Sequence, residues 1–93
     1  MHYWVLFFLL MLIGAVQAAE PLVVVIDPGH GGDNLGTDYL PIPEKDYDFI
    51  VAMYMKAYLE QYQDVKVYLT RTGDVAMSHK ERAQFAKSVN ADF

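Results

Sequence analysis

The sequence contains no cysteine, so no disulfide can compensate for a small hydrophobic core. Exported proteins also occur without disulfides, and this absence leaves the compartment open. Basic residues are scarce: seven Lys and Arg stand against twelve Asp and Glu, giving a net charge of −5. Nowhere do they gather into a stripe, which phosphate contacts require, so nucleic acid is excluded as a partner. Nucleotide-binding loops are missing too. Gly29 and Gly31 would need a further glycine at position 34 to make G-x-G-x-x-G, and Asn34 stands there. Pro41 and Pro43 separate these glycines from any helix they would open, and no Gly-Lys-Ser/Thr run occurs. Internal repeats and low-complexity tracts are absent as well.

The first 19 residues carry no charged side chain, and Val5–Val16 (VLFFLLMLIGAV) is apolar throughout. Such a run is short for a hydrocarbon core of roughly 30 Å. It suits the apolar region of a secretory signal peptide, with Val16 and Ala18 as the small-residue pair before cleavage. Met1–Tyr3 offers no Lys or Arg, which departs from the usual basic start. The competing readings are an uncleaved membrane anchor and a buried strand. Residues 1–19 are therefore assigned as a signal peptide or anchor. Export to the periplasm, envelope or exterior is expected, with transient membrane contact through this segment.

The remaining residues, about 75, are near the lower size at which one core sustains a fold. Leu22–Ile26 (LVVVI) is a β-branched run bounded by Pro21 and Asp27-Pro28-Gly29. It reads as a strand buried on both faces of a parallel sheet. Residues 27–43 are rich in Gly, Pro, Asp and Asn and read as one long loop, a length that usually signals function. A helix is predicted over Lys45–Gln61, with Ile50, Met53, Tyr54, Ala57 and Tyr58 forming its apolar stripe. Tyr54 and Tyr58 are thereby assigned to the core, the lining of a glycan groove being the other option. Val65–Leu69 (VKVYL) reads as a second strand. Ser78-His79-Lys80-Glu81 has the S-x-x-E form of a capping box, which predicts a helix over His79–Ser88 with Ala83, Ala86 and Val89 inward. Phe93 reads as the first residue of a third strand. Strand–helix alternation of this kind predicts an α/β fold: a mostly parallel sheet covered by helices, cut short at the third strand.

The chemistry concentrates in Asp27-Pro28-Gly29-His30-Gly31-Gly32-Asp33. A histidine at the carboxyl end of a buried strand lies where α/β folds place ligands, and neutral imidazole is the commonest protein metal ligand. Glu44, fourteen positions on, opens the predicted helix and can fold back toward His30. Catalytic zinc accepts His and Glu donors, normally three protein ligands and a water. Each residue also has a plainer explanation. A lone histidine in a glycine loop is more often only a loop residue, and the helix dipole alone favours glutamate at a helix start. Asp27 is either a group that steers His30 or its loop, or a cap on the Pro28-Gly29 turn. Arg71 and Arg82 are assigned to structural ion pairs and His79 to the surface.

Taken together, Val24 to Gly32 (VVIDPGHGG), Glu44-Lys45-Asp46, Val67 to Arg71 (VYLTR), Glu81-Arg82 and Asn90 to Phe93 (NADF) resemble the zinc-dependent N-acetylmuramoyl-L-alanine amidases. The resemblance runs in order through nearly all of residues 22–93, which makes 20–93 the N-terminal part of an amidase catalytic domain. It implies an α/β peptidoglycan hydrolase that cleaves the amide between N-acetylmuramic acid and L-alanine. It further implies Zn2+ as cofactor, peptidoglycan as partner, and His30 and Glu44 as zinc ligands.

The same resemblance places a third ligand, a histidine, a few residues after the A-D-F position and a catalytic glutamate nearer the C-terminus. Both are expected beyond Phe93, so no catalytic residue is assigned within the 93 and the polypeptide by itself is expected to be inactive. The Asp38–Pro43 stretch is bulkier and stiffer than the glycine-rich connection of many relatives, and an altered approach of Glu44 is one expected consequence. The alternative reading is a non-catalytic peptidoglycan-binding module; a gene remnant is a third. The residues that follow Phe93 discriminate among them.

Overall fold

The computed structural model describes residues 20–93, and the signal-peptide assignment of 1–19 lies outside them. Four elements follow in order: β1 (Leu22–Ile26), α1 (Glu44–Leu59), β2 (Val65–Leu69) and α2 (His79–Ser88). The two strands pair in parallel, with Leu22 opposite Val65 and Ile26 opposite Leu69. A parallel pair needs a crossover, and α1 supplies it. No helix among the described residues is long and apolar enough to cross a membrane.

The core is small: Ala52 of α1 and Val67 and Leu69 of β2 are its buried apolar side chains among the described residues. Ala52 lacks bulk, so α1 can lie close over β2. β1 is less enclosed than its composition predicts, with Leu22 40% exposed and Val23–Ile26 half-buried. Its neighbour on the far side is short. The amides of Asp92 and Phe93 donate to the Val23 carbonyl, at 2.8 and 3.3 Å, and the Val25 amide donates to Phe93 at 2.8 Å. Residues 92–93 thus run along β1 opposite β2, where the third strand is expected, although no strand forms.

Helix α1 starts at Glu44, one residue earlier than predicted, because the preceding loop satisfies its first amides. Glu44 N–H donates to the Thr37 carbonyl at 2.9 Å and Lys45 N–H to that of Leu35 at 3.1 Å. Pro43 at the N-cap gives no side-chain hydrogen bond, so loop carbonyls replace the usual cap. The helix stops at Leu59 because the amides of Gln61 and Tyr62 turn to the carbonyls three residues back.

The predicted apolar stripe is in the wrong phase. Tyr54 is 75% and Tyr58 60% exposed, with Ile50 and Met53 also exposed, while the inward face centres on Ala52 beside half-buried Phe49 and Leu59. Between residues 49 and 59 only Lys56 is charged, so apolar side chains ring the helix and periodicity cannot choose the inward side.

In α2 the capping box forms in both directions: Glu81 N–H donates to Ser78 Oγ at 3.1 Å, and Ser78 N–H to Glu81 Oε1 at 3.0 Å. Ser78→Ala is expected to lower stability by about 1 kcal/mol, read as a lower urea midpoint at unchanged slope. The inward residue of α2 is Arg82, which is buried, whereas Ala83 is exposed and Ala86 and Val89 are half-buried. The reason lies in the loop that follows β1.

Candidate metal centre

That loop leaves β1 at Asp27 and turns back tightly. Gly31 and Asn34 exchange backbone hydrogen bonds of 2.8 and 3.0 Å. Gly31 has φ +131°, and a Cβ there would stand 2.1 Å from the Val75 carbonyl oxygen, so no other residue fits. His30 has φ 60°, in the left-handed region that non-glycine residues seldom adopt. Strain of this kind clusters at functional sites.

The turn presents the imidazole with its two nitrogens differently engaged. Nδ1 lies 2.9 Å from Asn34 Oδ1, which also accepts the Gly36 amide at 3.3 Å. An atom that takes a backbone N–H must be the amide oxygen, so Nδ1 is the donor and carries a proton. Nε2 then faces Glu44 Oε2 at 3.1 Å. Two lone pairs cannot stay that close unaided; a proton on Nε2 or a metal ion between them resolves the contact.

Glu44 is held as firmly. Its other oxygen, Oε1, accepts the Thr37 amide at 2.9 Å. Hydrogen bonding from Thr37 is the main reason its carboxyl group lies below the ordinary value, with His30 contributing less. The shift favours the carboxylate, which is the form a metal needs. Gly36 packs between the two side chains, so close that an added Cβ would meet His30 Cδ2 at 2.7 Å and Glu44 Cβ at 2.9 Å. The stiff 38–43 stretch does not hold Glu44 away: it bulges outward, with Tyr39 89% exposed.

A second carboxylate, that of Asp48, joins them. Ligand atoms of His30, Glu44 and Asp48 all lie within 4.8 Å of one another, a group that could hold a metal ion. Asp48 is not among the candidate ligands that the sequence offers. Its signal was present as i, i+4 spacing from Glu44, which puts both carboxylates on one helix face.

Asp27 neither caps the turn nor touches His30. Its Oδ1 accepts from Thr70 Oγ1 at 2.7 Å and from Arg82 Nη1 at 2.6 Å. Arg82 in turn donates to the carbonyls of Pro28 at 2.8 Å and His30 at 2.8 Å. Asp27 therefore acts on the loop only through Arg82. Partial burial pushes its carboxyl upward, but hydrogen bonds from Arg82 and Thr70 outweigh that and hold it below the ordinary 3.8. A lowered folded-state value adds stability above the unfolded value and loses it as pH falls through the folded one. Urea midpoints are thus expected to drop as pH falls below about 4, and Asp27→Asn to flatten that slope relative to wild type.

Arg82 forms the predicted ion pair, but Arg71 does not. Arg71 is 4% exposed and donates only to backbone carbonyls: Pro28, Gly29, Lys45 and Gly73, at 2.9–3.0 Å. His79 is exposed, as predicted.

The family model for N-acetylmuramoyl-L-alanine amidase matches residues 24–93. The chain belongs to that amidase family. It is similar to the amidase AmiC of Escherichia coli O6:H1, with 35% identity over 88 residues, covering 85% of this chain and 21% of that protein. It resembles the amidase CwlM of Bacillus licheniformis at 37% identity, covering 75% of this chain and 28% of that one. Among solved structures, an amidase from Clostridium difficile 630 superposes with a TM-score of 0.74 at 36% identity, over 80% of this chain and 41% of that one. The catalytic domain of the amidase CwlV from Bacillus (Paenibacillus) polymyxa var. colistinus gives 0.73 at 32% identity, covering 76% and 41%. The amidase fold is therefore shared at well above random similarity. The chain spans between about a fifth and three tenths of the length of these two curated relatives.

Proposed function

We propose that this chain forms the first part of a zinc-dependent peptidoglycan amidase, exported through its N-terminal segment, which hydrolyses the bond between N-acetylmuramic acid and L-alanine. The observation that carries the reading is the 3.1 Å approach of His30 Nε2 to Glu44 Oε2, with the remaining nitrogen and oxygen of the pair occupied by loop partners. Zinc bonds of about 2.0–2.1 Å at a tetrahedral angle separate neighbouring donors by roughly 3.3 Å. The pair is close to that spacing before any ion enters, and the donor set fits.

When bound, zinc supplies polarisation of the scissile carbonyl and a water acidified to a pKa of about 7. The chain's own residues prepare for this in three ways. Asn34 Oδ1 accepts the hydrogen bond from Nδ1–H, so the Nε2 lone pair is the one offered. Thr37 favours the ionised form of Glu44 and fixes its rotation. Asp48 adds negative charge beside the pair and holds a cation there by Coulomb attraction. The resemblance assigns the third ligand and the proton-transferring glutamate to residues beyond Phe93. On that reading, residues 1–93 by themselves do not turn over substrate.

The test is release of stem peptide from purified muropeptides. A protein completed beyond Phe93 is expected to release it, to stop on chelation and to recover with zinc. Chelator-insensitive release, or zinc-dependent release by residues 1–93 alone, would defeat the reading.

A further inference from the structure

The Arg71 guanidinium is the one buried cation here whose hydrogen bonds go to carbonyl groups alone among the described residues, and their positions are informative. Its Nη2 donates at 2.9 Å to the carbonyl of Gly29, the residue before His30, and at 2.9 Å to that of Lys45, the residue after Glu44. One nitrogen therefore ties together the backbone flanking both members of the candidate metal pair. Nε holds Pro28 at 3.0 Å, Nη1 holds Gly73 at 3.0 Å, and the plane lies over Phe49 at 5.3 Å.

A buried charge without a carboxylate partner is costly, so a position that retains one needs compensation. Here the compensation is four carbonyl dipoles, three of them on the two segments that carry the ligands. A planar fork with fixed donor directions can hold such segments at a set distance, whereas a lysine, with one rotatable ammonium, cannot reach all four. We infer that Arg71 is a positioning residue that sets the spacing between His30 and Glu44, and through it the affinity for the metal. This rests on the metal reading above. It assigns to Arg71 a role distinct from that of Arg82, whose hydrogen bonds grip the His30 loop but do not reach α1.

The experiment compares zinc affinity, by competition with a chromogenic chelator, and the visible spectrum of bound Co2+ in the protein completed beyond Phe93. The proteins are wild type, Arg71→Lys and Val67→Ala, the last a core change in β2 outside the His30, Glu44 and Asp48 group. Wild type that binds neither metal defeats the metal reading itself. If wild type binds, Arg71→Lys is expected to weaken zinc by roughly 10–100-fold, the range seen when groups supporting metal ligands are lost. Its Co2+ spectrum is expected to shift, while Val67→Ala loses stability with the wild-type affinity and spectrum retained.

An Arg71→Lys protein that binds both metals like wild type, with only its urea midpoint lowered, overturns the inference. So does loss of the folded circular dichroism signal in both Arg71→Lys and Arg71→Gln that excess zinc does not restore, because Arg71 would then serve the fold as a whole.

Discussion

In the protein completed beyond Phe93, Glu44→Ala and His30→Ala are each expected to abolish zinc uptake at micromolar concentrations, measured by equilibrium dialysis. Removing either partner leaves the other without its neighbour donor, and a site that begins with few protein ligands cannot spare one. Asp48→Ala is expected to behave differently. Its carboxylate lies within 4.8 Å of the pair, yet its side chain stands over Gly29, 3.1 Å from where a Cβ would be. A charge acting from beside the coordination sphere contributes on the order of 1 kcal/mol in a solvated setting. That predicts a loss of less than about tenfold. A loss as large as that of Glu44→Ala would instead make Asp48 a ligand.

Gly36→Ala is the second large effect expected. The residue has φ +68°, and a Cβ would stand 2.7 and 2.9 Å from two atoms of the His30 ring. Placing alanine in the left-handed region costs about 1–2 kcal/mol, and overpacking adds about 1–3. Something must move, and the magnitudes indicate what. Turning the imidazole gives up its hydrogen bond to Asn34, worth about 1 kcal/mol. Displacing the loop breaks the Arg71 and Arg82 contacts with three consecutive carbonyls, which is dearer. The ring is therefore expected to turn away from Glu44. A fall in zinc affinity of roughly 10–100-fold should accompany it, larger than the fall in urea midpoint accounts for. Unchanged zinc binding in a stable Gly36→Ala protein would show that the ring orientation here is not the one metal requires.

Much of this molecule was legible in its residues, and the failures have physical causes. The strands were marked by β-branched runs and punctuated ends. The second helix was fixed by a local signal, Ser78 and Glu81 at capping distance, which needs no tertiary context. His30 and Glu44 were legible as a pair because motif order carries more information than either residue alone. The inward face of α1 was not, since its apolar residues surround it and only packing against β2 decides the phase. Arg71 was misjudged for a related reason. Sequence shows which charges are present, but backbone carbonyls are carried by every residue, so a cation satisfied by carbonyls leaves no mark in composition. Asn34 and Thr37 were missed on similar grounds: one acts through a side chain of ordinary loop type, the other through its amide.

Phe93 lies beside Val24, bonded through the groups of Val23 and Val25 in the sense of strands that run the same way. Each residue of extended chain advances about 3.3 Å. Any residues joined after Phe93 along this track would therefore draw level with Ile26 after about two steps and reach the carboxyl end of β1. The open flank of β1 is thus a guide rail, and what it delivers comes to the end of the strand from which the His30 loop departs.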